Sequence, residues 1–339
     1  MQTLNNFNQL RLLAALLVLF SHSVPLSSVD SSGEVMFVAS RGQATFGMVA
    51  VSVFFIISGY LITESFTRYK NAKYFVIARA LRLMPGLAFA LIVLTFIVGP
   101  VVTTAPLSTY FGSEKTFRFL IGNLSMAIVK PADPPGLFAA NPLPVAFDGS
   151  LWTLTYETAC YVLVFCLGVI GLLNRWVVTA LFAVALAASK AWVGGSMVNF
   201  GIYFLGGATM YFWKPPLRGW IAGLCALLLL ASMATGGFRL ACATAGAYAV
   251  IYLAVAAPPL PRFPRSDLSY GVYIWAFPAQ QIAAMLLPRL WWVNALASLP
   301  FVIGIAWLSW RFIEAPALQL KHWTRPGSRT MQDSGLSRG

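Results

Sequence analysis

The 339-residue chain is 59% hydrophobic and 10% charged, with a mean hydropathy of +0.75, which excludes a soluble domain and points to a polytopic membrane protein. Its net charge of +13 does not mark a nucleic-acid binder, because the basic residues sit in short gaps between apolar runs rather than on one soluble face. The four cysteines, Cys160, Cys166, Cys225 and Cys242, lie inside apolar segments without metal-ligand spacing to histidine, so they read as packing and no metal is expected.

In chain order, ten apolar segments read as membrane helices, at approximately 8–26, 46–66, 76–100, 150–172, 176–190, 194–212, 219–235, 238–256, 268–288 and 292–313. The first carries Arg11 and His22 and lacks a small-x-small cleavage site after Val24, so it is expected to be a retained span rather than a signal peptide. Between the third and fourth, the stretch of about 101–149 contains Pro131, Pro134, Pro135, Pro142 and Pro144, and is expected to be irregular. Within it, Phe117 to Val129 is apolar but short and is expected to be interfacial or re-entrant. With the N-terminus placed in the cytoplasm, 16 of the 23 Lys and Arg residues fall inside and 7 outside. The expected fold is therefore an all-α polytopic membrane protein of about ten spans with both termini cytoplasmic. One transmembrane domain is expected over 1–325, followed by a polar, disordered cytoplasmic tail over 326–339.

The candidate chemistry lies on these spans. Arg11 and His22 are eleven residues apart, almost a whole number of turns, so both point the same way, about 16 Å apart along the helix axis. An imidazole with an ordinary pKa near 6.5 suits general-base work, and ionisable groups at membrane depth are functional candidates by default. A structural histidine bonded to a neighbouring helix is the alternative. In the fourth segment Ser150, Thr153, Glu157 and Tyr161 share one face. A carboxylate at that depth needs a partner, and His22 is the expected one, giving a base oriented by a carboxylate. A structural ion pair between two helices would place the same residues there.

Arg79 and Arg82 begin the third segment three residues apart, where paired guanidiniums suit phosphates. Basic residues at inner membrane boundaries also serve as topology signals and lipid contacts. Weaker candidates for a polar cavity are Ser58, beside Gly59 where a helix could approach closely, and Tyr270 and Tyr273 in the ninth segment. Trp152 and Tyr156 join Ser58 as candidate donors to a developing oxyanion.

These residues fall in motifs that resemble the acyltransferase-3 family of integral membrane O-acyltransferases, the nodulation-factor, O-antigen and exopolysaccharide O-acetyltransferase type. The resemblance covers about residues 5–318. It is carried by Leu10-Arg11 through His22, by Val53-Phe-Phe-Ile-Ile-Ser-Gly-Tyr-Leu61 and by Arg79-x-x-Arg82-x-x-Pro85. It is carried further by Gly149-Ser-Leu-Trp-Thr-Leu-Thr-Tyr-Glu157, Ser269-Tyr-Gly-Val-Tyr-Ile-Trp275 with Pro278, and Phe312-Ile-Glu-Ala-Pro316. The resemblance implies a bacterial inner-membrane enzyme that moves an acyl group, usually acetyl, from cytoplasmic acyl-CoA to a hydroxyl of an extracytoplasmic or lipid-linked glycan. It implies Arg11, Arg79 and Arg82 at the acyl-CoA end, and His22 with Glu157 at the reacting centre, the imidazole acting as base or as acyl relay. The chain departs from the family at Ala276, where members often carry histidine, which puts the acceptor geometry in question. A transporter or flippase of a small anion or lipid-linked sugar would line its path with the same residues, but the chain shows no repeated halves. A non-catalytic membrane subunit is the third reading.

Overall fold

A computed structural model describes residues 5–28, 31–126, 133–143, 146–191, 196–260 and 266–321. Helix occupies every one of the ten apolar segments: α1 (Phe7–Ser28), α2 (Phe46–Tyr69), α3 (Ala72–Val102), α4 (Trp152–Val169), α5 (Arg175–Ala191), α6 (Ser196–Trp213), α7 (Gly219–Thr235), α8 (Phe238–Val255), α9 (Ser269–Leu286) and α10 (Trp291–Gln319). Six of them, α1, α2, α3, α4, α8 and α10, are long and apolar enough to cross a bilayer by length and composition. No strand occurs among the described residues. The chain is an all-α polytopic membrane protein. The tail of 326–339, Pro131 and Pro144 lie outside the described residues.

Local sequence explains where the helices begin and end. Thr45 caps α2, its Oγ1 accepting from the Met48 N–H at 3.2 Å, and Asn71 caps α3 in the same way through Tyr74 at 2.8 Å. Between them Lys70 takes a left-handed conformation, φ 46°, and its N–H closes on the Phe66 carbonyl. Lys70 and Asn71 alone therefore turn α2 back into α3. At the other end of the first pair, Asn6 ties the start of α1 to the end of α8, donating to the Leu253 and Pro258 carbonyls and accepting from the Leu260 N–H at 2.8 Å.

Small residues set the closest helix pair. At Gly59 on α2 an added Cβ would collide with the Phe204 carbonyl of α6, and at Gly207 it would collide with the Ile56 carbonyl. Backbone meets backbone there, as Ser58-Gly59 suggests from sequence. The axis of the bundle is α9, in which every residue from Ser269 to Gln281 is buried between α1, α3 and α10. Two of its glutamines bond across the bundle. Gln280 donates to the Leu19 carbonyl of α1 at 2.7 Å, and Gln281 donates to the Leu143 and Ala146 carbonyls at 2.9 and 3.0 Å.

Two features differ from expectation. The stretch before α4 is only partly irregular, since short helices form at Leu107–Gly112 and Glu114–Leu124. Ser113 accepts from Lys115 to start the second of these, and Thr116 and Phe119 anchor it inward, so the segment expected at the interface is docked on the bundle. Secondly, α3, α8 and α10 each contain one wider turn, at Leu94–Val98, Cys242–Gly246 and Trp310–Glu314. Such turns rotate the side chains beyond them relative to a regular helix.

Candidate active site

Two neighbouring cavities inside the bundle collect most of the predicted residues. The wider has a volume of about 540 Å³ and is bordered by His22 and Pro25 of α1, Phe277 of α9, and Asp148, Trp152, Thr155 and Tyr156 at the start of α4. Phe119, Asn123 and Met126 of the docked segment form another wall. The narrower, about 30 Å³, is bordered by Arg11, Ser58, Thr153, Glu157, Ser269, Tyr270 and Tyr273. Leu154 borders both. Arg11 and His22 therefore both face the interior, as three turns of one helix require.

His22 sits edge-on to Phe277, with ring centroids 5.3 Å apart and planes at 81°, and its Nδ1 is buried without a hydrogen-bond partner. Glycine at 149 makes this packing possible, since a Cβ there would lie 2.5 Å from the Phe277 ring. Trp152 and Tyr156 meet at 5.7 Å, and both rest on Phe200.

Glu157 does not meet His22. It accepts from Ser58 Oγ at 3.2 Å and from the Tyr161 hydroxyl one turn away, and no hydrogen bond or ion pair joins it to the imidazole. The expected carboxylate–histidine couple is thus absent, because Glu157 borders the narrow cavity with Arg11, while His22 faces the start of α4 at Asp148 and Gly149. Ser58, as a donor to Glu157, is likewise turned away from the wide cavity. Tyr273 bonds Thr153 at 2.6 Å, and Tyr270 donates to the Leu83 carbonyl at 2.8 Å. Both rings line the narrow cavity while their hydroxyls pin α9 to α4 and α3.

The arginines converge near the start of α9. Arg82 meets Asp267 Oδ2 at 2.6 Å, Arg11 meets the same oxygen at 3.5 Å, and Arg82 reaches Glu314 Oε2 at 3.9 Å. Ser309 donates to Glu314 Oε1 at 2.9 Å across the wide turn of α10, which swings the carboxylate inward. Asp267, just outside α9, is held at about 2: burial pushes its carboxyl up, but the guanidiniums of Arg82 and Arg11 and the Ser269 hydroxyl outweigh it. Arg79 lies within electrostatic reach of Arg82, Arg11, Glu157 and Tyr161, and its Nε is buried without a partner. Three guanidiniums thus face three carboxylates, Asp267, Glu314 and Glu157. The sequence reading singled out neither Asp267 nor Glu314 as a site residue. Each is a lone carboxylate beside an apolar run, the signal by which Glu157 was found.

The family model for the acyltransferase domain matches residues 4–311, and the chain belongs to the acyltransferase-3 family of integral membrane enzymes. It is 29% identical to a protein of Shigella phage Sf6 named O-acetyl transferase, over 91% of this chain and 95% of that one. It is 27% identical to nodulation protein 10 of Rhizobium leguminosarum bv. viciae, over 94% of each. The chain is an O-acyltransferase, and the transporter and subunit readings give way to that class. No solved structure matches it.

Among the described residues no group of His, Cys, Asp and Glu is arranged to hold a metal ion.

Proposed function

We propose that the protein moves an acyl group, acetyl in the smallest case, from acyl-CoA arriving at the Arg11 end to a hydroxyl of a glycan or lipid-linked sugar in the wide cavity. Both termini are then cytoplasmic, in keeping with the Lys and Arg asymmetry, and the membrane is the bacterial inner membrane. The observation that carries this reading is the pair of adjacent cavities on one helix, one ending at Arg11 and the other at His22 with an unpartnered nitrogen.

The chemistry follows. Imidazole takes the proton of the sugar hydroxyl as its oxygen attacks the thioester carbonyl. The tetrahedral intermediate collapses, the C–S bond breaks, and the imidazolium returns the proton to the departing thiolate. General-base help of this kind contributes about 10²–10⁴-fold. Trp152 and Tyr156, on the cavity wall, are placed to donate to the oxyanion. Arg79, with a free Nε, and Arg11 are the groups for the donor phosphates. Arg82 must exchange its carboxylate partners before it can join them. The narrow cavity holds no more than a water or two, so donor entry requires the ion pairs around Asp267 to part.

The test uses labelled acetyl-CoA and membranes that hold the native glycan. The native protein should release CoA thiol and deposit ester on the glycan. His22→Ala, at equal membrane abundance, should lose about 10²–10⁴-fold. Full activity in that variant would remove the imidazole from the mechanism. Arg79→Ala should raise the acetyl-CoA requirement and leave the acceptor requirement unchanged.

A further inference from the structure

Asp148 is the other polar group built into the His22 cavity. It precedes α4, is 6% exposed, and borders the same space as the imidazole. Its Oδ1 accepts from the Ser150 N–H at 2.9 Å, closing a turn that fixes the side chain. Its Oδ2 is buried with no hydrogen-bond partner. A buried carboxyl oxygen left unmatched is costly, and a rigid one bordering an open cavity is a site waiting for a hydroxyl or amine. Asp148 is also unlike Glu157, whose Oε1 has two donors within the protein.

Its electrostatic setting selects the partner. Among the described residues, the other titratable groups bordering the cavity are His22, Asp133 and Tyr156. Asp133 is occupied in part by the Phe147 N–H, at 2.8 Å, and among the described residues no guanidinium or ammonium borders the cavity. Burial, with the neighbouring Asp133 carboxyl, pushes the Asp148 carboxyl well above its ordinary value, against the weaker pull of the Ser150 N–H. The unpartnered Oδ2 can bond a sugar hydroxyl, and the described lining offers no cation to an acidic sugar, which favours a neutral polyol. The indole of Trp152 beside it supplies the apolar face on which a sugar ring can lie.

We infer that Asp148 binds the acceptor, its Oδ2 holding a hydroxyl of the sugar so that a neighbouring hydroxyl meets His22, which makes it a specificity-determining residue for a neutral sugar. This rests on the transfer reaction proposed above. It assigns the carboxyl groups before and within α4 to different ends: Asp148 to the acceptor, Glu157 to the arginines and Ser58.

The test measures acceptor and donor dependence separately in reconstituted protein. The acceptor probe is the unacylated glycan lipid extracted from the same cells with this gene deleted, and the donor is labelled acetyl-CoA. Asp148→Asn keeps a carbonyl for Ser150 and an N–H donor for the sugar, so its acceptor KM should stay within about threefold of native. Asp148→Ala removes both, and its acceptor KM should rise at least about tenfold while the acetyl-CoA KM is unchanged, the effect of one lost hydrogen bond in a dry site. Detergent melting temperature and membrane abundance show whether Asp148→Ala is folded. If it is not, Asp148→Ser is used, which retains a hydroxyl for Ser150 but cannot reach the sugar, and the same tenfold rise is expected. An unchanged acceptor KM in the folded Ala or Ser variant overturns the inference. So does a fall in kcat at unchanged acceptor KM, which would make Asp148 an orienting group for the imidazole. If the native protein itself deposits no ester on this glycan, the underlying reading fails, independently of any Asp148 variant.

Discussion

The two cavities of this bundle sit on the same helix and are built in opposite ways. The narrow one is closed by matched charge, with Arg82 and Arg11 on Asp267, Arg82 toward Glu314, and Glu157 under Ser58 and Tyr161. The wide one is open and undersupplied, with His22 Nδ1 and Asp148 Oδ2 both buried without partners. Satisfied polar networks hold helices in place, whereas unsatisfied groups bordering a void are poised for a ligand. Stability and chemistry are therefore separable here. Substitution of Asp267 should act first on folding, and substitutions around His22 first on turnover.

The largest expected break comes from Asp267→Asn. It leaves the Arg82 and Arg11 guanidiniums largely buried without their shared carboxylate, and such a loss costs about 3–5 kcal/mol. The melting temperature in detergent and the amount of protein recovered from membranes should both fall. A variant as stable as the native protein would show that the cluster is not what holds α9 against α1 and α3.

Gly149→Ala should come next. Its methyl would lie 2.5 Å from the Phe277 ring, so Phe277 must shift and its edge contact with His22 with it. Overpacking of this kind costs about 1–3 kcal/mol. The informative result is a fall in kcat larger than the loss of stability accounts for, with the acetyl-CoA KM unmoved. A change in acetyl-CoA KM alone would tie the wide cavity to the wrong substrate.

Ser58→Ala removes one hydrogen bond to Glu157, at 3.2 Å, and should cost about 1 kcal/mol with little change in turnover. A collapse of kcat would move Ser58 out of the supporting network and into the reaction.

The smallest effect is one of pH. Asp267 is held at about 2, below the ordinary carboxyl range, so its contribution to stability is complete above about pH 4 and lost only as pH falls toward 2. The contribution of this group to the melting temperature should therefore be constant between pH 5 and 8. A native-minus-Asp267→Asn difference that changes across that range would contradict the ion-pair geometry.

Much of this was legible in the chain itself, for identifiable reasons. Ten apolar runs each became helix, six of them long and apolar enough to cross a bilayer, which leaves the backbone no other way to satisfy its hydrogen bonds. Gly59 marked a helix crossing because only a missing side chain lets two backbones touch. Arg11 and His22 shared an inward stripe because eleven residues is close to three turns. Partner choice was not legible. Glu157 borders the cavity of Arg11, whereas His22 faces the start of α4 at Asp148 and Gly149, so the two lie at different levels of the bundle, and that is a tertiary fact. Glu314 depends on the wide turn at Trp310–Glu314, which periodicity at 3.6 residues cannot foresee. Asp148 immediately precedes the Gly149–Glu157 motif. Its importance lies in an oxygen with nothing to bond, which only packing reveals.

One measurement reaches the centre of the account. The protein is reconstituted into vesicles, oriented by protease accessibility of the tail after Arg325, with unacylated glycan lipid in the membrane and labelled acetyl-CoA supplied on one side only. Ester should appear on the glycan when acetyl-CoA is on the side of the Arg11 end of α1, fail to appear when it is on the other, and be lost in His22→Ala from either. Equal transfer from both sides, or transfer that survives loss of the imidazole, would contradict a donor and an acceptor meeting across α1.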